Sequence, residues 1–242
     1  MFDAVAAAYD LLAAAPERWR HEGPFLERWV GPDARVLDLA CGTGVHAAAL
    51  AAGSGRHITA LDLSPAMIAR ATATRAHPAI SWQVGDMRQP PAGPFERVMI
   101  LGNSLNLLPD RAAVRATLAA IRAVLVPGGR LLVQILNPRL PWHRKARHVV
   151  KHGVSDGVAL SIIKSLVPHE DVTLLSLTVF ARHFDGAYHT GSEQAVLLDL
   201  EAGELDELCD NAGFSWREHF GGLDGTVFDA AESANVVMSA AW

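Results

Sequence analysis

The chain predicts an α/β fold built on a doubly wound, mostly parallel sheet. Strand-length apolar runs alternate with helix-period runs through the first half, and the strands are apolar on consecutive positions. Turn residues sit at the changeovers. Alternation of this kind requires crossover helices between parallel strands, and consecutive apolar positions are what burial on both faces demands.

Taken in order, residues 1–30 carry helical runs in which Trp19, Phe25 and Trp29 form an apolar face. RVLDLA (35–40) is the first strand and VHAAALAAG (45–53) its helix; HITALDL (57–63) is the second, followed by SPAMIARATATRA (64–76), where Ser64-Pro65 is an N-cap and N1 pair. AISWQVGD (79–86) and FERVMILG (95–102) flank a proline-rich loop. The helix RAAVRATLAAIRAVL (111–125) then passes through a turn, VPGG, into the fifth strand RLLVQILN (130–137). After Asn137 the rhythm changes. GVALSIIKSLV (157–167), DVTLLSLTVFARHF (171–184) and AYHTGSEQAVLLDL (187–200) are long and β-rich, and Asp185-Gly186 between the last two is a favoured hairpin dipeptide. An antiparallel β segment inserted over 148–198 is expected. A helix over 201–214, a strand SWREHF (215–220), the loop GGLDGTVFDAAES and a terminal strand ANVVMSAAW complete the chain.

At 242 residues and half apolar, the chain suits a single domain with a sizeable core. A formal net charge of -5 argues against the basic surface that nucleic acid or anionic membrane requires. Cys41 and Cys209 give neither a disulfide framework nor a metal spacing, and the N-terminus lacks the basic start of a signal peptide. The expectation is a cytoplasmic protein, monomer or homodimer, acting on a small molecule, with no nucleic-acid or membrane partner.

The chemistry begins at VLDLACGTGVHAAAL (36–50). A parallel strand followed by Gly42-x-Gly44 and a helix lets backbone approach a ligand where no Cβ intervenes. A dinucleotide fingerprint needs a third glycine where Ala47 stands, and a phosphate loop needs a Lys-Ser/Thr pair that is absent. Asp62, at the end of the second strand, suits two ribose hydroxyls and would repel a phosphate.

VLDLACGTG, ALDLSPAMIARA, VGDMRQ and LVPGGRLLVQI, in that order, resemble the motifs of class I S-adenosylmethionine-dependent methyltransferases, with their seven-stranded Rossmann-like sheet. ILGNSLNLLPD, QILNPR and the N-terminal YDLL and ERWRHEGPFLERW are similar to the glycine/sarcosine N-methyltransferase group and its bacterial relatives. The resemblance implies one methyltransferase domain over 1–242, a helical lid at 1–30 and a substrate-side insert at 148–198. It implies S-adenosylmethionine as cofactor, leaving S-adenosylhomocysteine. Ala40, Gly42 and Gly44 would line its methionine end, with Tyr9 and Arg18 closing over it. Asp62 would hold the ribose, Leu63 and Met87 would pack on the adenine, Asp86 would take the adenine amino group, and Leu101 and Asn103 would contact the cofactor. Asn103 and Asn106 would face the acceptor. Relatives commonly carry Asn-Tyr-Asp where this chain has Asn137-Pro138-Arg139, which puts a glycine-like acceptor in doubt.

Transfer from a sulfonium is an in-line displacement in which alignment supplies much of the rate, while a hydroxyl acceptor would want a base. Candidates for that base are His143, Tyr188 and His189. In WHRKARH (142–148), Trp142, Arg144 and Arg147 are candidate substrate contacts, an arginine there suiting a carboxylate; the competing reading is a solvated basic loop. His148 and His152 lack the further ligands that a metal needs, so no metal is expected. The expected activity is methyl transfer to nitrogen, less favoured oxygen, of a small and possibly carboxylate-bearing molecule. Alternatives are an RNA or protein methyltransferase and a non-catalytic cofactor-binding regulator.

Overall fold

A computed structural model describes residues 5–13, 15–53, 55–140, 144–155 and 157–242. Two N-terminal helices, α1 (Ala6–Ala13) and α2 (Ala15–Val30), precede an alternating series: β1 (Arg35–Leu39), α3 (Val45–Ala51), β2 (His57–Asp62), α4 (Pro65–Thr74), β3 (Ile80–Val84), β4 (Phe95–Ile100), α5 (Arg111–Val124) and β5 (Leu125–Leu136). The chain continues through β6 (Arg147–Ser155), β7 (Val158–His169), β8 (Val172–His183) and β9 (Tyr188–Leu198). It closes with α6 (Ala202–Ala212), β10 (Trp216–Phe220) and β11 (Asn235–Ala241).

The main sheet has seven strands in the order β10-β11-β5-β4-β1-β2-β3, parallel except for antiparallel β11, which pairs β5 and β10. The switch point lies where β1 has β2 on one side and β4 on the other, which is where an open α/β sheet gathers its ligands. Adjacent residues on β1 feed opposite cores: Leu37 packs with Leu118, Ile121 and Phe214 beneath α5 and α6, and Val36 with Leu26, Val30 and Leu50 beneath α2 and α3. Period-2 alternation in a strand buried on both faces accounts for its unbroken apolar run.

The caps follow the sequence. Ser64 Oγ accepts from Met67 N at 3.1 Å, and Asp110 Oδ1 from Ala113 N at 2.7 Å, each contribution being worth about 1 kcal/mol. The expected turn at 126–129 is instead the start of β5: Leu125 pairs Phe95, and the register shifts before Arg97 pairs Arg130. Gly128, at φ 75, supplies the bend without leaving the sheet.

The insert is a four-stranded antiparallel sheet, β6-β7-β8-β9. Its inner face, with Leu160, Ile162, Leu177 and Leu197, forms a third core with Val5 and Ala8 of the N-terminal segment and Met67 of α4. Leu11 of α1 packs on Gly153 of β6, where a Cβ would stand 2.7 Å from its Cδ1. Helix α1 is thereby held between the two sheets, over the C-terminal ends of β1 and β2. Among the described residues no helix is long and apolar enough to cross a membrane.

Candidate functional site

The loop after β1 turns sharply, with Ala40 and Gly42 both at φ 57. Cys41 N donates to Leu61 O at 3.0 Å, and Gly42 N donates to Asp62 Oδ2 at 2.8 Å. Ser64 N donates to Asp62 Oδ1 at 2.9 Å, so one buried carboxylate stitches the β1 loop to the start of α4. Each oxygen still has acceptor capacity beyond these bonds. The aromatic edge of Tyr9 covers Gly42, 3.6 Å from the point a Cβ would occupy.

Three cavities meet here. Tyr9 and Ser104 line all of them. The largest, about 310 Å³, runs past Asp62 and Leu63 to Asp86 and Met87. A second, of about 40 Å³, lies between Arg18, Asp38, Ala40 and Leu101. The third, of about 50 Å³, is walled by Asn103, Leu107 and the insert residues Lys164, Leu177 and Leu197.

Of the residues expected to bind cofactor, Tyr9, Ala40, Gly42, Asp62, Leu63, Asp86 and Met87 line the first cavity. Arg18 and Leu101 line the second, and Asn103 the third. Gly44 lines none of the three. It caps α3 at φ 81, and a Cβ there would lie 2.2 Å from the Trp82 ring. Its lack of a side chain thus serves helix–sheet packing.

The expected acceptor residues scatter. Asn106 is buried and donates from Nδ2 to Leu198 O at 2.7 Å, fastening the insert to the core. Arg144 borders a separate surface depression with Pro138, Arg139 and Glu201, while Arg147 begins β6. Tyr188 and His189 stand beside the Asp185-Gly186 hairpin tip. Tyr188 is 76% exposed and stacks against Arg182, 5.8 Å from the guanidinium to the ring centroid, so solvent surrounds both candidates and neither borders the cavities. Trp142 and His143 lie outside the described residues. Asn137 explains its own place: Nδ2 donates to Ala230 O and Ser233 O, pinning the loop before β11, while Oδ1 accepts from Arg139 N.

The electrostatics concentrate beneath Tyr9. Asp38 is 2% exposed, and burial, helped by the charge of Asp62 and opposed by Arg18, pushes its pKa up to about 7. Its Oδ2 has no hydrogen-bond partner. Burial also raises the Tyr9 hydroxyl and the Cys41 thiol, so Cys41 is a packing residue rather than a nucleophile. Arg18 donates to Glu22 at 2.9 Å, and Glu22 meets His46 at 2.7 Å. Burial would raise Glu22, but the His46 hydrogen bond and the Arg18 charge prevail and lower it. Asp86 is lowered by its hydrogen bond from Arg88, 2.8 Å from Nε.

Sequence reading missed Ser104, Lys164 and the Glu22–His46 pair. Lys164 had a signal: on β7, positions 160, 162 and 166 are buried Leu, Ile and Leu, and a lysine interrupts that row. Ser104 carried no pattern beyond a helix cap.

Residues 36–129 match the family model described as a methyltransferase domain. A demethylmenaquinone methyltransferase of Mycobacterium tuberculosis is 37% identical over 139 residues, 55% of this chain and 56% of that protein. The chain thus spans little more than half the length of the curated relatives it matches. Among solved structures, an S-adenosylmethionine-dependent methyltransferase of Clostridium acetobutylicum superposes with TM-score 0.79 at 16% identity, covering 99% of this chain and 98% of that one. A sugar N-methyltransferase of Streptoalloteichus superposes with TM-score 0.76 at 22% identity over 96% and 92%. The stretch from 36 to 129, set at the switch point of this sheet, is thus similar to a methyltransferase domain, and the fold is one shared with S-adenosylmethionine-dependent methyltransferases.

Proposed function

We propose that the protein transfers a methyl group from S-adenosylmethionine to a nitrogen of a small-molecule acceptor. The observation that carries this is the junction of three cavities at Tyr9 and Ser104, one of them lined by a buried acid, Asp38, whose Oδ2 has no hydrogen-bond partner among the described residues. The residues fit the cofactor chemically. The large cavity has an apolar wall at Leu63 and Met87 for a purine and a carboxylate at Asp62 for a diol. In the second, Asp38 and Arg18 offer opposite charges to the two ends of an amino acid. The cofactor, when bound, supplies an electrophilic methyl on a sulfonium, and Tyr9 and Ser104 would border the space around it.

The chain's own contribution is alignment and exclusion of water. Helix α1 and the antiparallel sheet close the site from above, so an acceptor in the third cavity would be held at near-attack distance in a dry setting. Nitrogen is favoured because among the described residues no histidine or carboxylate lines the third cavity, and a neutral amine needs no base to attack. Resemblance to the glycine/sarcosine group in ILGNSLNLLPD, together with the shared fold of the Streptoalloteichus sugar N-methyltransferase, supports an amine. Pro138-Arg139 in place of Tyr-Asp argues for an acceptor other than glycine.

The test is calorimetric titration with S-adenosylhomocysteine, followed by incubation with methyl-labelled S-adenosylmethionine and a metabolite extract, RNA and protein in parallel. Micromolar binding and label in small amines are expected. Label in RNA or protein alone would overturn the acceptor class, and binding with no transfer anywhere would leave a regulator.

A further inference from the structure

Arg18 and Glu22 stand one turn apart on α2, and Glu22 faces His46 in the first turn of α3. Arg18 Nε donates to Glu22 Oε1 at 3.0 Å and to Oε2 at 2.9 Å, and His46 Nε2 meets Oε2 at 2.7 Å. An ionised carboxylate has no hydrogen to give, so His46 carries its proton on Nε2 and donates. Burial lowers the His46 pKa against the pull of the Glu22 hydrogen bond, which makes the ring a neutral donor at neutral pH.

The three residues differ in what they border. Arg18 and His46 line the second cavity with Asp38 and Ala40, whereas Glu22 lines none of the three cavities. A carboxylate with 17% of its side chain exposed thus touches two cavity residues without reaching the cavity, and can act on a ligand there only through them. Its bonds to Arg18 use Nε alone, which leaves the Nη hydrogens of the guanidinium fork for a second carboxylate. An arginine free to turn has several torsions to fix before it can grip a carboxylate through two parallel bonds; one already held at Nε loses less on binding. His46 stands just after Gly44, so the series Arg18, Glu22, His46 also ties α2 to the glycine loop that Tyr9 covers.

We propose that Glu22 and His46 are positioning residues: His46 holds the Glu22 carboxylate, Glu22 holds Arg18 at Nε, and Arg18, so oriented, receives the carboxylate of the cofactor's amino-acid end. This rests on the methyl-transfer reading and adds to it the groups that aim Arg18. No covalent bond forms or breaks and no proton moves.

The experiment compares two ligands on the full chain: S-adenosylhomocysteine, and 5′-methylthioadenosine, which keeps the nucleoside and lacks the amino-acid end. Dissociation constants are read by calorimetry and, for the weaker nucleoside, by protein NMR shifts. Glu22→Ala should weaken S-adenosylhomocysteine about tenfold, the scale of one hydrogen bond to a charged group, and leave methylthioadenosine within about twofold. His46→Leu should act in the same direction to a smaller degree, and His46→Gln, whose amide keeps a donor for Glu22, should recover most of that loss. In an Arg18→Met background, Glu22→Ala should change S-adenosylhomocysteine affinity by less than about twofold, because the group it positions is gone. An equal loss for both ligands, an unchanged affinity for S-adenosylhomocysteine in Glu22→Ala, or an undiminished loss in the Arg18→Met background overturns the assignment and leaves Glu22 a tie between two helices. Failure of S-adenosylhomocysteine to bind the wild type removes the methyl-transfer reading and this one with it. If Glu22→Ala does not fold, Glu22→Gln, which keeps the shape and loses the charge, is judged by the same two-ligand comparison.

Discussion

Thr43 Oγ1 donates a 2.6 Å hydrogen bond to Asp10 Oδ1, tying helix α1 to the loop that follows β1. Arg75 reaches the same carboxylate at 3.1 Å and Arg70 at 3.6 Å, both from the α4 side. The next residue toward the N-terminus, Tyr9, covers Gly42. Anchor and cover are therefore consecutive residues of one short helix. A helix of 8 residues has little stability of its own, so its position depends on such contacts.

If α1 is the lid of the cofactor site, Asp10→Ala should loosen it. The substitution removes a charge-assisted acceptor and strands two arginines, a loss of about 1.5–3 kcal/mol in a buried setting and less here because the carboxylate is partly exposed. Affinity for S-adenosylhomocysteine should fall about tenfold, and amide exchange over residues 6–13 should accelerate while the β1 and β4 amides stay protected. Thr43→Val, which removes one hydrogen bond and leaves the arginine contacts, should have the smaller effect. Unchanged exchange in Asp10→Ala would mean that packing of Leu11 on Gly153 alone holds the helix.

Asp62 carries two duties that can be separated. Its backbone acceptor role, toward Gly42 N and Ser64 N, is structural; the proposed diol contact is a binding role. Asp62→Asn keeps one oxygen for the backbone and should lower cofactor affinity by about 1.5–3 kcal/mol with a modest fall in Tm. Asp62→Ala should lower both. An Asp62→Asn protein with wild-type affinity for S-adenosylhomocysteine would remove the ribose assignment.

The sheet was legible because strands buried on both faces write themselves as unbroken apolar runs, and because Ser64-Pro65 and Asp185-Gly186 mark local geometry directly. The β1 loop and Asp62 were legible for the same reason: a glycine turn and a strand-end acid are each set by their own few residues. The acceptor side was not. Tyr188 and His189 bear suitable groups, yet hairpin length carries them into solvent, a distance that composition does not encode. Lys164 reaches the site through the pairing of four strands with one another and with α1. Gly44 read as a ligand contact because the Trp82 ring that excludes its Cβ arrives from β3, some forty residues later.

That relationship predicts a stability defect. Gly44→Ala must take a left-handed backbone, costing about 1–2 kcal/mol, and must also displace the Trp82 ring from a 2.2 Å approach. Overpacking of this kind adds about 1–3 kcal/mol. Thermal unfolding should show a Tm lowered by several degrees or more, and Trp82→Leu in the same chain should recover the steric part and leave the backbone part. Full additivity of the two substitutions would mean that ring and glycine do not meet.

Asp38 supplies a pH signature. Its folded pKa, about 7, lies above the ordinary 3.8, so between those values the folded chain holds a proton that the unfolded chain has lost. Stability then falls as pH rises through that window and levels off above it. Relative to Asp38→Asn, which cannot titrate there, the cofactor-free wild type should lose a few kcal/mol between pH 4.5 and 7.5. Cofactor binding should reverse the bias, because an ammonium against Asp38 Oδ2 selects the carboxylate and releases the proton. Affinity for S-adenosylhomocysteine should therefore rise with pH, by up to about tenfold per unit below 7, and flatten above it. Calorimetry in two buffers of different ionisation enthalpy should find close to one proton released per ligand near pH 6 in the wild type and none attributable to this site in Asp38→Asn. Identical proton release in the two proteins would mean that the cofactor's amino group rests elsewhere, and that the orphaned oxygen of Asp38 is satisfied by water rather than by ligand.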